Sequence, residues 1–347
     1  GTVDRVWWSD CQTRFKGHLL LPRKSNFATK QDEVGTIKSI TEFTVGASTD
    51  VYVVHSDNKV YKYLNASDAW SSSLDTLTNP TKETIVFRDT TANYMIFARG
   101  ANGYTYTTDA STFTDMDVSV HASRNVEYFT IWHGQLWGID NEGVLKQWAS
   151  GPTANPTEKG ALPLPNGYVT SLFVYRDAAG TPIIYAGTKV GLWAFDETNN
   201  RWEETELRLP FHTNSGKGTV VWRDAIYFPA GNAIYKYQTG SNTAVVSLIG
   251  FDRDHGIPEA YAGQVIKLIG THNDLLAFVN ADIDTSYTVF ATGRQASGMG
   301  GASTVVSGTG TSAILGFNDV AWEVKWTGTD NTGLENAHVG SAYNEYR

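Results

Sequence analysis

One segment recurs along this chain at a spacing few folds can accommodate. A polar turn rich in Asn, Asp and Gly leads into a short strand with aromatics at alternate positions. Residues 187–202 (GTKVGLWAFDETNNRW) show the unit in full. Trp193 and Phe195 share one strand face, because residues two apart do. Trp202, seven residues past Phe195, falls where a returning strand covers that face. Equivalent third-strand positions are Tyr61, Tyr104, Leu145, Trp193 and Tyr235, separated by 43, 41, 48 and 42 residues. A period of about 40–50 residues with three or four short strands per unit is that of β-propeller blades.

The other strands of each unit fall into place around this register. Apolar pairs of strands precede it at 40–43 and 51–54, 85–87 and 94–97, 129–132 and 135–139, 172–175 and 182–185, and 220–222 and 225–228. A looser sixth copy has strands at 265–269, 274–278 and 287–290. The later aromatic repeats as Tyr63 to Trp70, Tyr106 to Phe113, and Phe195 to Trp202. In the fifth unit, after Tyr235 and Tyr237, that slot is Ala244. Stacking blades around an axis covers both faces of every sheet, and aromatics bridge well between them. The chain therefore reads as all-β, a propeller of about six or seven four-stranded blades over residues 37–292.

Two segments lie outside this rhythm. Residues 1–36 hold candidate strands at 6–8 and 18–21 and are read as N-terminal strands that could help close the ring. Residues 293–347 begin with a Gly- and Ser-rich loop. Strands at 313–317 and 321–326 follow, and form either the last blade or the start of a further β domain.

Composition narrows function by exclusion. The chain has 347 residues, ample for a large core, and 41% are hydrophobic. A formal charge of −9 argues against nucleic acid, since phosphate binding needs concentrated Lys and Arg. No apolar run approaches the length of a membrane-spanning helix. A single cysteine, Cys11, excludes an intrachain disulfide and a Cys-based metal cage. No signal peptide is visible, and with Gly1 in first place its absence is uninformative.

Catalytic signatures are lacking. There is no G-x-S-x-G or H-E-x-x-H, and 215–219 lacks the spacing of a phosphate loop. His133 and His272 fall in hairpin turns. Asp252 with Asp254, and Asp282 with Asp284, could each offer two oxygens to calcium, but neither has the spacing of a dedicated loop. No cofactor is expected; calcium at Asp282 and Asp284 is the metal to test. The loop 251–261 is the least repeat-like part of the ring, and long loops on rigid scaffolds tend to carry binding residues. Asp252, Asp254, His255 and Tyr261 are therefore the candidate binding residues. With 36 acidic residues, a pair of glycosidase carboxylates stays open.

The run Trp193-Ala194-Phe195-Asp196 with Thr198 and Trp202 resembles kelch-type blades. Thr107-x-Asp109-x-Ser111-x-Phe113 is similar to the Asp-box turn of sialidase-like propellers. A broader resemblance covers roughly residues 120–340. The segments 132–140, 254–261 and 322–333 look like propeller-bearing structural proteins of tailed bacteriophages. That resemblance implies a virion location and a larger assembly, with other virion proteins and a host-surface receptor or glycan as partners. The leading expectation is a non-enzymatic virion structural or host-attachment protein, without nucleic-acid binding or membrane insertion. Two alternatives stand beside it: a secreted propeller that binds or cleaves glycans, with Trp7, Trp8 and Tyr261 stacking on sugars, and a kelch-like intracellular scaffold.

Overall fold

The computed structural model describes residues 12–15, 18–20, 37–64, 67, 69–79, 83–177, 179–231, 233–239, 244–249, 264–280, 312–319 and 322–328. Six antiparallel sheets follow one another along the chain, each built from consecutive strands in simple order. Blade 1 comprises Ile37–Val45, Ser48–His55 and Lys59–Leu64, with its outer position split between Ala69–Trp70 and Asp75–Thr76. Blade 2 is Thr84–Arg88, Asn93–Ala98, Gly103–Thr107 and Thr114–Asp117. Blade 3 is Tyr128–Trp132, Gln135–Ile139, Val144–Trp148 and Thr157–Ala161. Blade 4 is Val169–Arg176, Pro182–Thr188, Gly191–Asp196 and Arg201–Arg208. Blade 5 is Val220–Trp222, Ala225–Ala230, Ala233–Thr239 and Ala244–Leu248. Blade 6 is Gln264–Gly270, Leu275–Asn280, Ser312–Phe317 and Trp322–Gly328. The fold is a six-bladed β-propeller.

Turn chemistry makes the blades. His133 and Gly134 both have positive φ, as do Arg223 and Asp224, so each pair forms the tight, left-handed turn that matches strand twist. At Gly191 φ is +137° and a Cβ would lie 2.1 Å from the Leu207 carbonyl oxygen. Only glycine fits where the third strand begins so close to the outer one. Elsewhere an aspartate closes the turn: Asp57, Asp89, Asp109, Asp140, Asp177 and Asp196 each accept backbone N–H bonds from residues two to four ahead. Six of the chain's 36 acidic residues therefore cap turns.

Among the described residues, five apolar cores lie in the seams between successive blades, from blades 1 and 2 to blades 5 and 6. In the seam between blades 3 and 4, Trp132, Trp137, Ile139 and Leu145 meet Leu172, Ile184, Trp193, Phe195 and Trp202. Each large side chain buried in this way contributes about 1.5–3 kcal/mol. Polar ends of the aromatics then hook the next blade. Trp132 Nε1 donates to the Pro182 carbonyl at 3.0 Å, Tyr175 OH to Asp224 at 3.0 Å, and Trp222 Nε1 to Thr271 at 2.6 Å. Trp202 Nε1 reaches back to Gly160 at 3.1 Å. Burying the ring while satisfying the N–H or O–H suits Trp and Tyr.

Three expectations need correction. The third strand of blade 6 is Ser312–Phe317, paired with Leu275–Asn280; the expected strand at 287–290 lies outside the described residues. The strands at 312–328 thus complete blade 6. Phe113 is not the cross-strand partner of Tyr106, which pairs with Thr114; it packs on Phe97 at 6.1 Å instead. In blade 5 the partner of Tyr237 is Val246, not Ala244, which pairs with Thr239. In blade 2 a longer turn between third and outer strands moves the register. In blade 5 four residues separate Thr239 from Ala244, as in blades 1 and 4. There the third strand runs two residues past Tyr237, where it runs one past Tyr63 and Phe195, so a fixed seven-residue step misses the partner. Of the N-terminal segment, Gln12–Phe15 and His18–Leu20 pair with each other and, among the described residues, join no blade. The candidate strand at 6–8 lies outside the described residues.

Candidate functional site

The first strands of blades 1 and 2, 2 and 3, 3 and 4, and 5 and 6 contact one another, so these strands line the axis. Near their starting ends, one position per blade falls at a common level: Ser39, Glu83, Tyr128, Ser171, Gly218 and Lys267. In blades 1, 4 and 6 a break in strand register immediately precedes it, between Ile37 and Ser39, Val169 and Ser171, and Val265 and Lys267. Neighbouring blades are tied together here. Ser39 Oγ and Thr84 Oγ1 share a hydrogen bond of 2.7 Å. The Phe129 N–H donates to Glu83 Oε2 at 2.7 Å. The Leu268 N–H donates to the Gly218 carbonyl at 3.1 Å.

This level is electrostatically unusual. Glu83 is half-buried just ahead of the first strand of blade 2. Burial pushes its carboxyl up to about 7, opposed by the Phe129 hydrogen bond and the charge of Lys267. Burial likewise lowers the Lys267 ammonium, with Glu83 opposing. The Tyr128 phenol is raised by burial, then by Glu127 and Glu83. Blade 6 therefore comes round to within electrostatic reach of blade 2. Ser171 Oγ at this level, and Thr170 Oγ1 and Ser215 Oγ, are buried without a hydrogen-bond partner among the described residues. A carboxyl poised near neutral pH, a weakened lysine and unpaired hydroxyls can bind a polar group or exchange a proton with one.

Other buried charges are structural. Lys146 Nζ meets Asp140 Oδ2 at 2.8 Å and the Asn125 carbonyl at 2.9 Å, with both charged side chains enclosed. Arg99 Nη2 meets Asp117 at 2.5 Å. On the opposite face, where the hairpin turns project, an open groove of about 650 Å³ runs between blades 2 and 3. Its walls are the turns around Asp89, Gly134 and Gly151.

The binding residues expected from sequence, Asp252, Asp254, His255 and Tyr261, lie outside the described residues, as do Asp282, Asp284, Trp7 and Trp8. Among the described residues no cluster of three or more His, Cys, Asp or Glu could hold a metal ion. His133 and His272 are exposed in their turns. The repeat aromatics fall on third or outer strands, or, for Phe113, in the turn between them. Tyr61, Tyr104, Trp193, Phe195, Trp202 and Tyr237 are buried, and Tyr63, Trp70, Tyr106, Phe113 and Tyr235 half-buried. The Asp-box-like segment does form a turn: Asp109 Oδ1 accepts from Ser111 N at 2.8 Å and Thr112 N at 2.7 Å. Sequence reasoning missed the axial level. Its members recur 44, 45, 43, 47 and 49 residues apart, a signal available from the repeat, but they share no residue type.

No family model matches the chain, and none of the curated proteins matches it in sequence. Solved structures are similar in fold. Virginiamycin B lyase from Staphylococcus aureus superposes with a TM-score of 0.55 at 12% identity, over 84% of this chain and 85% of the lyase. The computationally designed Ika8 protein gives 0.50 at 9% identity, over 86% of this chain and 89% of its own. The extracellular domain of a hybrid two component system from B. thetaiotaomicron gives 0.51 at 13% identity, over 75% of this chain and 34% of that one. At these identities the likeness extends to the propeller alone.

Proposed function

We propose that this chain is a non-enzymatic binding module of a tailed-bacteriophage virion, in which the propeller presents its loops to other virion proteins or to a host-surface receptor. The observation that carries the reading is a division of labour within the repeat. Its aromatics are consumed by five seams, leaving a rigid wheel whose turns are the surface offered to a partner. Binding residues placed on loops over a stiff scaffold are the usual arrangement for recognition. The virion setting rests on the phage-like segments at 132–140, 254–261 and 322–333. Antibody labelling of purified particles under the electron microscope tests it. Label at a fixed position on the particle is expected, and particles that carry none would rule the virion role out.

A second reading, a propeller that cleaves glycans, draws on one observation. Glu83 has a carboxyl at about 7, in the range that suits a general acid or base. Hydrolysis of a polysaccharide panel, abolished by Glu83→Gln, is the expected result under that reading. Absence of hydrolysis leaves the binding module.

A further inference from the structure

We propose that the groove between blades 2 and 3 on the hairpin face is a carbohydrate site for a short, neutral oligosaccharide segment. The proposal rests on the host-attachment reading and supplies the chemistry of the receptor. At about 650 Å³ the groove falls within the roughly 300–1,000 Å³ of small-molecule sites. Its floor is formed by Phe87, Tyr94 and Trp148, all buried, with Phe87 and Tyr94 stacked at 6.3 Å. That floor is fixed and offers no deep apolar pocket.

The walls are polar and already oriented. Asp89 Oδ1 accepts from Thr91 N at 2.6 Å, Thr91 Oγ1 at 2.7 Å and Ala92 N at 2.8 Å. Burial pushes the Asp89 carboxyl up, but these bonds and one from Tyr94 outweigh it and hold the group below the usual carboxylate range. Its Oδ2 lies beside Gly151, where a Cβ would stand 3.0 Å away. The missing side chain at Gly151 leaves the carboxylate edge uncovered, and φ of +78° there suits glycine. Across the groove, Gln135 Oε1 accepts from Gln147 Nε2 at 2.5 Å. That bond pins the amide and frees its NH₂ group to donate. Exposed Ser150 and Thr153 add hydroxyls, and exposed Arg88 balances the charge of Asp89.

A fixed acceptor, a fixed donor and rim hydroxyls, with no net charge, match a ligand whose every hydroxyl both donates and accepts. An extended peptide fits less well. It would need an open strand edge or apolar side-chain pockets, and these walls are turns over a closed floor.

The test is a chemical-shift titration of the whole chain with neutral trisaccharides built on glucose, galactose and N-acetylglucosamine. At least one is expected to bind saturably. Ser150→Trp, which fills the groove from an exposed position, and Gln135→Ala should each weaken it tenfold or more at unchanged melting temperature. Val246→Ser, on the outer strand of blade 5, should bind as wild type does. Failure of every trisaccharide, wild-type affinity in Ser150→Trp, or capture of a peptide by the same groove would each overturn the proposal. A chain present in particles but inert to sugars defeats this inference alone. Sugar binding by a chain absent from particles defeats the virion reading alone.

Discussion

The seam between blades 3 and 4 and the level around Glu83 are made by the same repeat and do opposite things with burial. In the seam, Trp193, Phe195 and Trp202 surrender nearly all their surface to Trp137, Leu145 and Ile184. Of the indole N–H donors there, Trp132 and Trp202 place theirs on carbonyls of adjacent blades. At the axis, blades meet through polar and ionisable side chains instead, and burial shifts Glu83 and Lys267 toward their neutral forms. The seams stabilise the wheel; the axis holds groups whose burial works against it.

The largest effect should come from the seam. Trp193→Ala is expected to lower stability by about 3–5 kcal/mol, read as a shift in the denaturant midpoint. The Trp193 indole N–H is buried with no partner among the described residues, so Trp193→Phe should cost much less. Equal losses in the two variants would show that packing is not what Trp193 supplies.

An axial substitution should act in the other direction. With a folded value of about 7 against 4.5 for the free group, native Glu83 binds its proton more tightly than the unfolded chain does. Stability then falls as pH rises from about 4.5 to 7, by an amount on the order of 1–3 kcal/mol once solvent contact is allowed for. Glu83→Gln keeps an acceptor for the Phe129 N–H and removes the charge. It should flatten this decline and be more stable than wild type at pH 8. A variant less stable than wild type at pH 8 would place Glu83 with the seams rather than against them.

The smallest effect belongs to the turns. Asp109→Ala removes the acceptor for two backbone N–H groups and should cost about 0.5–1.5 kcal/mol in thermal unfolding. A loss as large as that of Trp193→Ala would mean that turn caps, not seams, hold the blades.

The seams were legible in the sequence and the axis was not, for a physical reason. Burying a blade face calls for large apolar side chains at a fixed register, so Tyr104, Trp193 and Tyr235 announce themselves by type and spacing. The first two strands of blade 6 were legible, but its third was not, because 31 residues separate the second strand from Ser312 and the period breaks there. The axial position has no shared side-chain requirement: serine, glutamate, tyrosine, glycine and lysine all occupy it. Its character depends on which residues six distant segments bring together, and only the folded wheel shows that. Asp89 and Gln135 are equally silent in the sequence, where they read as ordinary turn and strand residues.

The contrast between seam and axis is tested most directly by following the Glu83 carboxyl carbon by NMR across a pH titration of the whole chain. A midpoint near 7 is predicted, moving when Lys267 is replaced by methionine. A midpoint near 4.5, unmoved by that replacement, would contradict it and leave the axis as ordinary solvated surface.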